Sequence, residues 1–163
     1  MTTDPIARDT LIAAAAESMR QAYAPYSGFR VGAAIQGANN VIFRGCNVEN
    51  SSYGLSLCAE RGALSRALAE GCRQFRALAV VASDTRDSER PAACAIVPCG
   101  ACLQVLAEFC EPDMPVFCAS AHNTGDVCMR LLNELLPCAF RIAHRRQAHV
   151  DSDANDSRSK GTA

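Results

Sequence analysis

The sequence is poor in the features by which proteins bind nucleic acids and membranes. It has no tryptophan and three tyrosines, and 16 lysines and arginines nearly balance 17 aspartates and glutamates, for a formal net charge of -1 at pH 7. A nucleic acid groove needs basic and aromatic residues. No segment approaches the roughly 20 consecutive apolar residues that cross a bilayer. We therefore expect neither nucleic acid nor membrane as a partner.

Length and composition favour one domain in a reducing compartment. The chain has 163 residues, 49% of them hydrophobic, which suffices for one buried core. Residues 1–9 lack the basic start and apolar run of a secretory signal. Ten cysteines in such a chain are more typical of reduced thiols and metal ligands than of a disulfide scaffold. We expect a cytoplasmic protein.

Apolar periodicity predicts alternating helices and strands. Pro5 opens a helical pattern that stops before Pro25, and the alternating segments 29–35 and 41–49 predict a hairpin. The pattern then predicts helices over 58–70, 99–110 and 127–136 and strands over 75–82 and 114–120. These elements indicate an α/β domain layered around one central sheet. After Ile142 the sequence turns polar, so we expect a folded domain over residues 1–143 and a disordered tail over 144–163.

Three cysteines are candidate zinc ligands. Cys58 begins one predicted helix, and Cys99 and Cys102 form a Cys-x-x-Cys pair in the first turn of another. A helix N-terminus favours thiolate over thiol, and thiolate is the form that binds zinc. Three protein ligands leave one position of a tetrahedral zinc ion open to water, whose pKa the metal lowers towards about 7. The pattern therefore predicts a hydrolytic zinc site.

Glu60 and Arg61, two and three residues after Cys58, can complete that chemistry. Glu60 lies close to the metal without being a ligand, so we predict that it is the general acid and base. Three thiolates carry more negative charge than Zn²⁺ neutralises. Arg61 is the nearest cation that could draw charge off the sulfurs.

Two other interpretations of the cysteines stay open at this point. A Cys-x-x-Cys pair in an intracellular α/β protein is also typical of a thioredoxin-like redox site. A structural zinc module would use a spare cysteine as a fourth ligand and close the metal to water. The two clusters together indicate an open zinc site more specifically than either one alone.

Five blocks of sequence resemble the short, three-cysteine class of the cytidine deaminase family, over about residues 22–140. They are Tyr23-Ala24-Pro25-Tyr26-Ser27 with Phe29-Arg30-Val31-Gly32-Ala33-Ala34, Asn47-Val48-Glu49-Asn50, Cys58-Ala59-Glu60-Arg61, Pro98-Cys99-Gly100-Ala101-Cys102 and Leu135-Leu136-Pro137-Cys138-Ala139-Phe140. A glutamate that is not a metal ligand belongs to the zinc deaminase signature. The resemblance implies a three-layer α/β/α fold with a mixed sheet of about five strands and one zinc ion per subunit. It also implies hydrolytic deamination of cytidine and deoxycytidine to uridine and deoxyuridine plus ammonia, a step of pyrimidine salvage.

The resemblance also implies how the nucleoside is held. Asn47 and Glu49, which strand alternation places on one face, would bind the sugar hydroxyls. Phe29 would pack on the base, and the backbone of Ala59 would meet the edge of the pyrimidine. Without the resemblance, Phe29 could equally be a core residue and Asn47 a structural one.

Further implied roles concern neighbouring subunits and the surroundings of the metal. The family forms homotetramers with shared active sites, so Tyr53 and Phe140 would reach the site of a neighbouring subunit. Gln104 matches the family and would support the metal cluster together with Arg61. Leu103 stands where many relatives have an arginine, so the contribution of that arginine is in question here.

The remaining cysteines have a simpler expected role. We expect them to be small buried apolar residues. They are Cys46, Cys72, Cys94, Cys110, Cys118, Cys128 and Cys138.

One alternative substrate stays open within the same chemistry. An aminohydrolase of a modified cytosine nucleoside, such as blasticidin S, would share the zinc motifs but depart from the block at residues 47–50. Nucleoside monophosphates are disfavoured because Glu49 would repel a nearby phosphate.

Overall fold

Five strands form one mixed sheet in the computed structural model, which describes residues 5–84 and 93–142. The strands are β1 (Phe29–Gly37), β2 (Ile42–Cys46), β3 (Phe75–Asp84), β4 (Pro115–Ser120) and β5 (Asn123–Leu131). Their order across the sheet is β2-β1-β3-β4-β5. Only β3 and β4 run parallel among these neighbours, and the other pairs are antiparallel. The mixed five-stranded sheet confirms the expected fold.

Helices cover both faces of this sheet. They are α1 (Pro5–Met19), α2 (Ala59–Ala69), α3 (Gly100–Phe109) and α4 (Leu132–Leu135), and the 3₁₀ helices are Tyr53–Leu55 and Ala93–Ala95. On one face, α1 packs through Leu11 and Ala15 against Val81 of β3. On the other face, Leu64 of α2 and Leu106 of α3 share a core with the strands. The three layers are therefore α1, the sheet, and α2 with α3.

The helices of the described residues can be compared with the length and apolar character of a membrane span. None of the helices within residues 5–84 and 93–142 has the length and apolar character needed to cross a bilayer. The segments 1–4, 85–92 and 143–163 lie outside the described residues, and the predicted tail over 144–163 is among them.

Two glycines let a helix approach the sheet on each face. A side chain at Gly32 of β1 would collide with the backbone of Ala15 in α1. A side chain at Gly45 of β2 would collide with the backbone of Ala59 and Ala63 in α2. Glycine is suited to such close backbone contact because it has no Cβ. Helix α2 is therefore seated on β2 at backbone distance, and the position of its N-terminus is fixed.

The predicted helix over 127–136 is wrong. Residues Asn123–Leu131 form β5, and only Leu132–Leu135 are helical. The apolar residues of this stretch fit a helix and a strand about equally, which is a common ambiguity in short apolar runs. Pairing decides the outcome, because β5 satisfies the free edge of β4 in an antiparallel ladder that places Cys118 opposite Cys128.

The expectation of seven reduced, buried cysteines is wrong for most of them. Cys94 and Cys128 form a disulfide between the Ala93–Ala95 turn and β5. The other five differ in exposure: Cys110 and Cys118 are buried, Cys46 and Cys72 are half-buried, and Cys138 is exposed. Burial raises the pKa of Cys110 and of Cys118 to about 12. A pairing between residues far apart along the chain cannot be deduced from cysteine spacing.

Breaking the Cys94–Cys128 bond is expected to lower the free energy of unfolding by about 2–4 kcal/mol, because the bond restricts the unfolded chain. The bond spans a sequence separation of 34. Cys94→Ser removes it at the exposed end, and urea unfolding followed by circular dichroism measures the change. Cys72→Ser, at a half-buried free thiol, is the matched control. Equal unfolding midpoints for the two variants without reductant would contradict the prediction.

Candidate active site

Two helix N-termini meet at one point. Cys58 is the N-cap of α2 and Cys99 the N-cap of α3, both with an extended backbone, and Cys102 lies in the first turn of α3. The three Sγ atoms lie within 4.8 Å of one another, and those of Cys99 and Cys102 are 3.5 Å apart. The fold therefore brings together all three predicted zinc ligands.

The donor set fits zinc. A tetrahedral ion with Zn–S bonds of about 2.3 Å holds its sulfurs about 3.8 Å apart, which is close to the spacing of these thiols. Across residues 5–84 and 93–142, the cluster consists of the three cysteines without a fourth side chain of a ligating type. Three thiolates leave one coordination position open. Within this part of the chain, the closed structural zinc module therefore has no support.

The surroundings shift the pKa values of the three thiols in different directions. Burial is the largest cause that raises the pKa of Cys58 and of Cys102, and the charge of Glu60 adds to it in both. Burial would also raise the pKa of Cys99, but hydrogen bonds from the backbone N–H groups of Cys102 and Ala101 contribute to lowering it below its ordinary value. Because zinc binds thiolates, Cys58 and Cys102 would have to lose their protons to hold the metal.

Arg61 lies beside the thiol of Cys58. Its Nη2 donates to the carbonyl oxygen of Ser56 at 3.1 Å and lies 4.0 Å from the Cys58 Sγ. The hydrogen bond to Cys58 is the main cause of the raised pKa of the Arg61 guanidinium. Its Nε is buried and has no hydrogen-bond partner within the described residues. This placement is what a cation needs in order to draw charge off the thiolates, and that role stays a prediction.

Glu60 is the buried acid of the site. It lies in the first turn of α2, and 5% of it is exposed. Burial is the main cause that raises its pKa, against the opposing effects of its own backbone N–H and of Cys102 and Arg61. A raised pKa makes a carboxyl group a better proton acceptor than an ordinary one. Glu60 is therefore placed to exchange protons beside the metal ligands, and its role as general acid and base stays a prediction.

A cavity of about 230 Å³ opens near the metal ligands. It is lined by Tyr26, Ser27, Glu49, Asn50, Tyr53 and Ser56. Ser56 connects the cavity to the thiols, because its carbonyl oxygen accepts the hydrogen bond from Arg61. Glu49 also lines this cavity, and its Oε2 accepts hydrogen bonds from the backbone N–H groups of Tyr26 at 2.9 Å and Ser27 at 3.2 Å. The carboxylate is thus held at a cavity of a size suited to a small molecule.

Asn47 and Phe29 lie together at the start of β1. The Asn47 side chain accepts a hydrogen bond from the Val31 N–H at 2.8 Å and donates one to the Phe29 carbonyl oxygen at 2.9 Å. The Phe29 residue itself is 36% exposed. Asn47 therefore fixes the strand that presents Phe29, which is a structural role, and its contact with a sugar stays a prediction.

Two further predicted contact residues differ in exposure. Ala59 is fully buried in the first turn of α2, directly after Cys58. Tyr53 is 81% exposed and lines the cavity of its own chain. Its predicted reach into a neighbouring subunit stays a prediction.

Gln104 contacts the C-terminal part of the described chain. Its Nε2 donates to the Phe140 carbonyl oxygen at 2.7 Å, and its Oε1 accepts from the Phe140 N–H at 3.1 Å. The Phe140 residue is 70% exposed. Leu103, which stands in place of the arginine of many relatives, is buried in the core. The structure thus assigns Gln104 a contact with Phe140 that the sequence did not predict.

Sequence reasoning also missed the groups that shape the cavity wall. Ser56 holds Arg61, and the N–H groups of Tyr26 and Ser27 hold Glu49. Asn50 lines the cavity and accepts a hydrogen bond from the Ser52 N–H. Tyr26, Ser27 and Asn50 all lie in the blocks that carry the family resemblance, so the signal was present, but backbone donors have no signature in a sequence.

Comparisons with known proteins identify the family of this chain. The family described as "Cytidine and deoxycytidylate deaminase zinc-binding region" matches residues 6–119. The chain is 46% identical over 132 residues to the cytidine deaminase of Sporosarcina psychrophila, covering 81% of this chain and 90% of that one. It is also 46% identical over 133 residues to the cytidine deaminase of Halalkalibacterium halodurans, covering 82% of this chain and 93% of that one. The crystal structure of cytidine deaminase from Burkholderia pseudomallei matches with a TM-score of 0.70 and 46% identity, covering 80% of this chain and 97% of that one.

The fold and the three-thiol cluster define a zinc-binding deaminase domain. The chain belongs to the cytidine and deoxycytidylate deaminase family. This membership sets aside the thioredoxin-like interpretation of the Cys-x-x-Cys pair, because both of its cysteines lie with Cys58 in the zinc cluster.

Removing one ligand is expected to remove the metal. Cys102→Ser leaves two thiolates and replaces the buried sulfur by a weaker ligand, so purified protein should carry well below one zinc ion per chain. Cys118→Ser is the matched control, because Cys118 is also a buried free cysteine but lies outside the cluster. Plasma emission spectrometry measures the zinc content, and equal zinc in the two variants would contradict the ligand assignment.

Removing the guanidinium is expected to weaken zinc retention without unfolding the chain. Arg61→Gln removes the positive charge beside Cys58, and the loss of such a supporting group typically costs about 10–100-fold in metal affinity. Competition with a chromogenic chelator measures that affinity. Arg66→Gln is the control on the same helix, where Arg66 pairs with Glu70 at the surface. A zinc affinity of the Arg61 variant equal to that of the Arg66 variant would show that Arg61 does not act on the metal.

Proposed function

We propose that the chain is a zinc-dependent hydrolase that converts cytidine and deoxycytidine, with water, to uridine and deoxyuridine plus ammonia. The observation that carries this proposal is the position of Glu60. Its buried carboxyl group, with a raised pKa, lies two residues from Cys58 and beside the three-thiol cluster. Relatives with 46% identity that carry the name cytidine deaminase support the substrate.

Glu60 carries the protons in this mechanism. Zinc, when bound, supplies the Lewis acidity that makes the attacking water acidic. Glu60 accepts one proton of the water as the water oxygen bonds to C4 of the base, and Glu60 passes this proton to N3. Glu60 then takes the remaining proton of the new hydroxyl group on C4 and passes it to the amino group. The bond between C4 and that nitrogen breaks, ammonia leaves, and the oxygen stays on C4 as the carbonyl of uridine. Water and cytidine are consumed, and uridine and ammonia are formed.

The nucleoside is oriented by residues around the cavity. Glu49, whose Oε2 accepts from the Tyr26 and Ser27 N–H groups, also accepts from the sugar hydroxyls, and Asn47 assists from its position directly after β2. Phe29 packs on the base, and the Ala59 backbone contacts the pyrimidine edge. The cavity size and the carboxylate on its wall support this orientation.

The oligomeric state and the cellular role of the protein are also part of this proposal. We propose a homotetramer in which Tyr53 and Phe140 complete the active sites of neighbouring subunits. The exposed apolar side chains of Tyr53, Leu55, Phe140 and Ile142 support this proposal, because an assembly that covers them would remove apolar surface from water. The reaction would serve pyrimidine salvage in the cytoplasm.

Glu60→Gln is the decisive variant. It keeps the size of the side chain but removes its ability to take up and release protons, so kcat for cytidine should fall by about 10²–10⁴-fold while zinc content stays unchanged. Glu70→Gln, on the exposed end of the same helix, is the matched control and should keep the parent rate. Loss of ultraviolet absorbance on deamination gives the rate. A zinc-loaded Glu60 variant that turns over cytidine at the parent rate would overturn the role of Glu60.

A substrate panel tests the function as a whole. Cytidine and deoxycytidine should be deaminated, and free cytosine should react poorly because it lacks the sugar that Glu49 holds. Cytidine monophosphate should also react poorly, because Glu49 would repel its phosphate. Turnover of blasticidin S in preference to cytidine would replace the proposed substrate, and no turnover of any member would overturn the proposed activity.

A further inference from the structure

The side chain of Gln104 contacts both polar backbone groups of one residue. Its side-chain amide donates to the carbonyl oxygen of Phe140 at 2.7 Å and accepts from the N–H of the same residue at 3.1 Å. Both polar backbone groups of Phe140 are therefore engaged by one side chain, 36 residues away along the sequence. Paired bonds of this kind fix an orientation as well as a position, because the planar amide must face the backbone squarely.

The ring of Phe140 is not what holds this segment in place. Phe140 is 70% exposed, and Ile142 two residues later is 67% exposed. The helix α4 ends at Leu135, so residues 136–142 follow without helix or strand. Residues 136–142 lie outside the helices and strands, and the two hydrogen bonds from Gln104 hold this segment at Phe140. We call this pair of hydrogen bonds the Gln104 clamp. The backbone that carries this exposed ring is held in place, which lowers the cost of ordering the residue when the ring inserts into another surface.

The residue that makes the clamp lies on the helix that carries the metal ligands. Gln104 follows Cys102 by two residues on α3, and Leu103 and Leu106 bury this helix in the core. The side chain of Gln104 therefore starts from a fixed backbone. Any displacement of α3 would move the Phe140 anchor and two thiols together.

We propose that Gln104 is a positioning residue, which orients Phe140 so that its ring closes the nucleoside site of a neighbouring subunit. The proposal rests on the proposed function, since that function gives Phe140 its contact with substrate. It gives Gln104 a role different from support of the thiolates, because both of its hydrogen bonds described above go to Phe140. Gln104 acts through Phe140 and does not itself touch the reacting atoms.

Local mobility of residue 140 tests the clamp without any substrate. The chain has no tryptophan, so Phe140→Trp introduces a single fluorescent reporter. Time-resolved anisotropy of this reporter should show greater local motion when Gln104→Ala is added. Gln36→Ala is the matched control, because Gln36 is a half-buried glutamine whose amide donates to Asn40 in the distant hairpin. Unchanged local motion in the Gln104 variant would overturn the clamp.

Kinetics in the natural Phe140 background test the consequence for the reaction. Gln104→Ala should lower kcat/KM for cytidine about tenfold, mainly through KM, which is the scale expected from losing two ordinary hydrogen bonds. Phe140→Ala should lower it at least as much, and the double variant should be no worse than Phe140→Ala, because Gln104 acts only through that ring. The Gln36 variant should match the parent.

Three results would overturn the positioning role. One is increased motion at residue 140 with unchanged kinetics. The second is a double variant whose loss equals the product of the two single losses. The third is a loss of zinc from Gln104→Ala, which would place its action at the metal. Absence of cytidine turnover by the parent chain would instead overturn the proposed function, while the mobility measurement would still decide whether Gln104 anchors Phe140.

Discussion

The convergence of two helix N-termini on one face of the sheet is the constraint on which the rest of the site depends. Helix α2 is set against β2 by Gly45, and α3 is held in the core through Leu103 and Leu106. Their first turns bring three thiols within 4.8 Å of one another. Both helix dipoles point their positive ends at this spot and favour negative sulfur there, which opposes the burial that raises the pKa of Cys58 and Cys102. Glu60 and Arg61 follow from the same turn of α2.

The parts of this arrangement that depend on local sequence could be predicted. A ligand at the start of a helix has a signature in the chain, so the three zinc ligands and the positions of α2 and α3 followed from short motifs and apolar spacing. The mixed sheet followed from the alternation of elements. Glu60 could be proposed as the acid and base because its position two residues after Cys58 needs no knowledge of the fold, and this role stays a prediction.

The parts that depend on distant partners could not be predicted. Strand β5 forms because it pairs with the free edge of β4, and the sequence of residues 123–131 alone does not indicate that pairing. The bond between Cys94 and Cys128 depends on that same pairing. The contact of Gln104 with Phe140 joins a side chain to backbone groups, and every residue has such groups. In each case the deciding partner is remote or has no residue-specific mark.

The cavity and the metal cluster are built on different kinds of structure. The cluster lies on helix ends that are fixed to the sheet, whereas the cavity wall comes from the connecting segments that contain Tyr26, Glu49 and Ser56. Connecting segments accept changes in sequence and length far more readily than core elements do. Divergence of these segments could therefore alter which nucleoside is accepted while leaving the chemistry of the metal and Glu60 intact. Because the metal cluster and the cavity wall lie on separate parts of the fold, one reaction centre could be combined with different substrate pockets over the course of evolution.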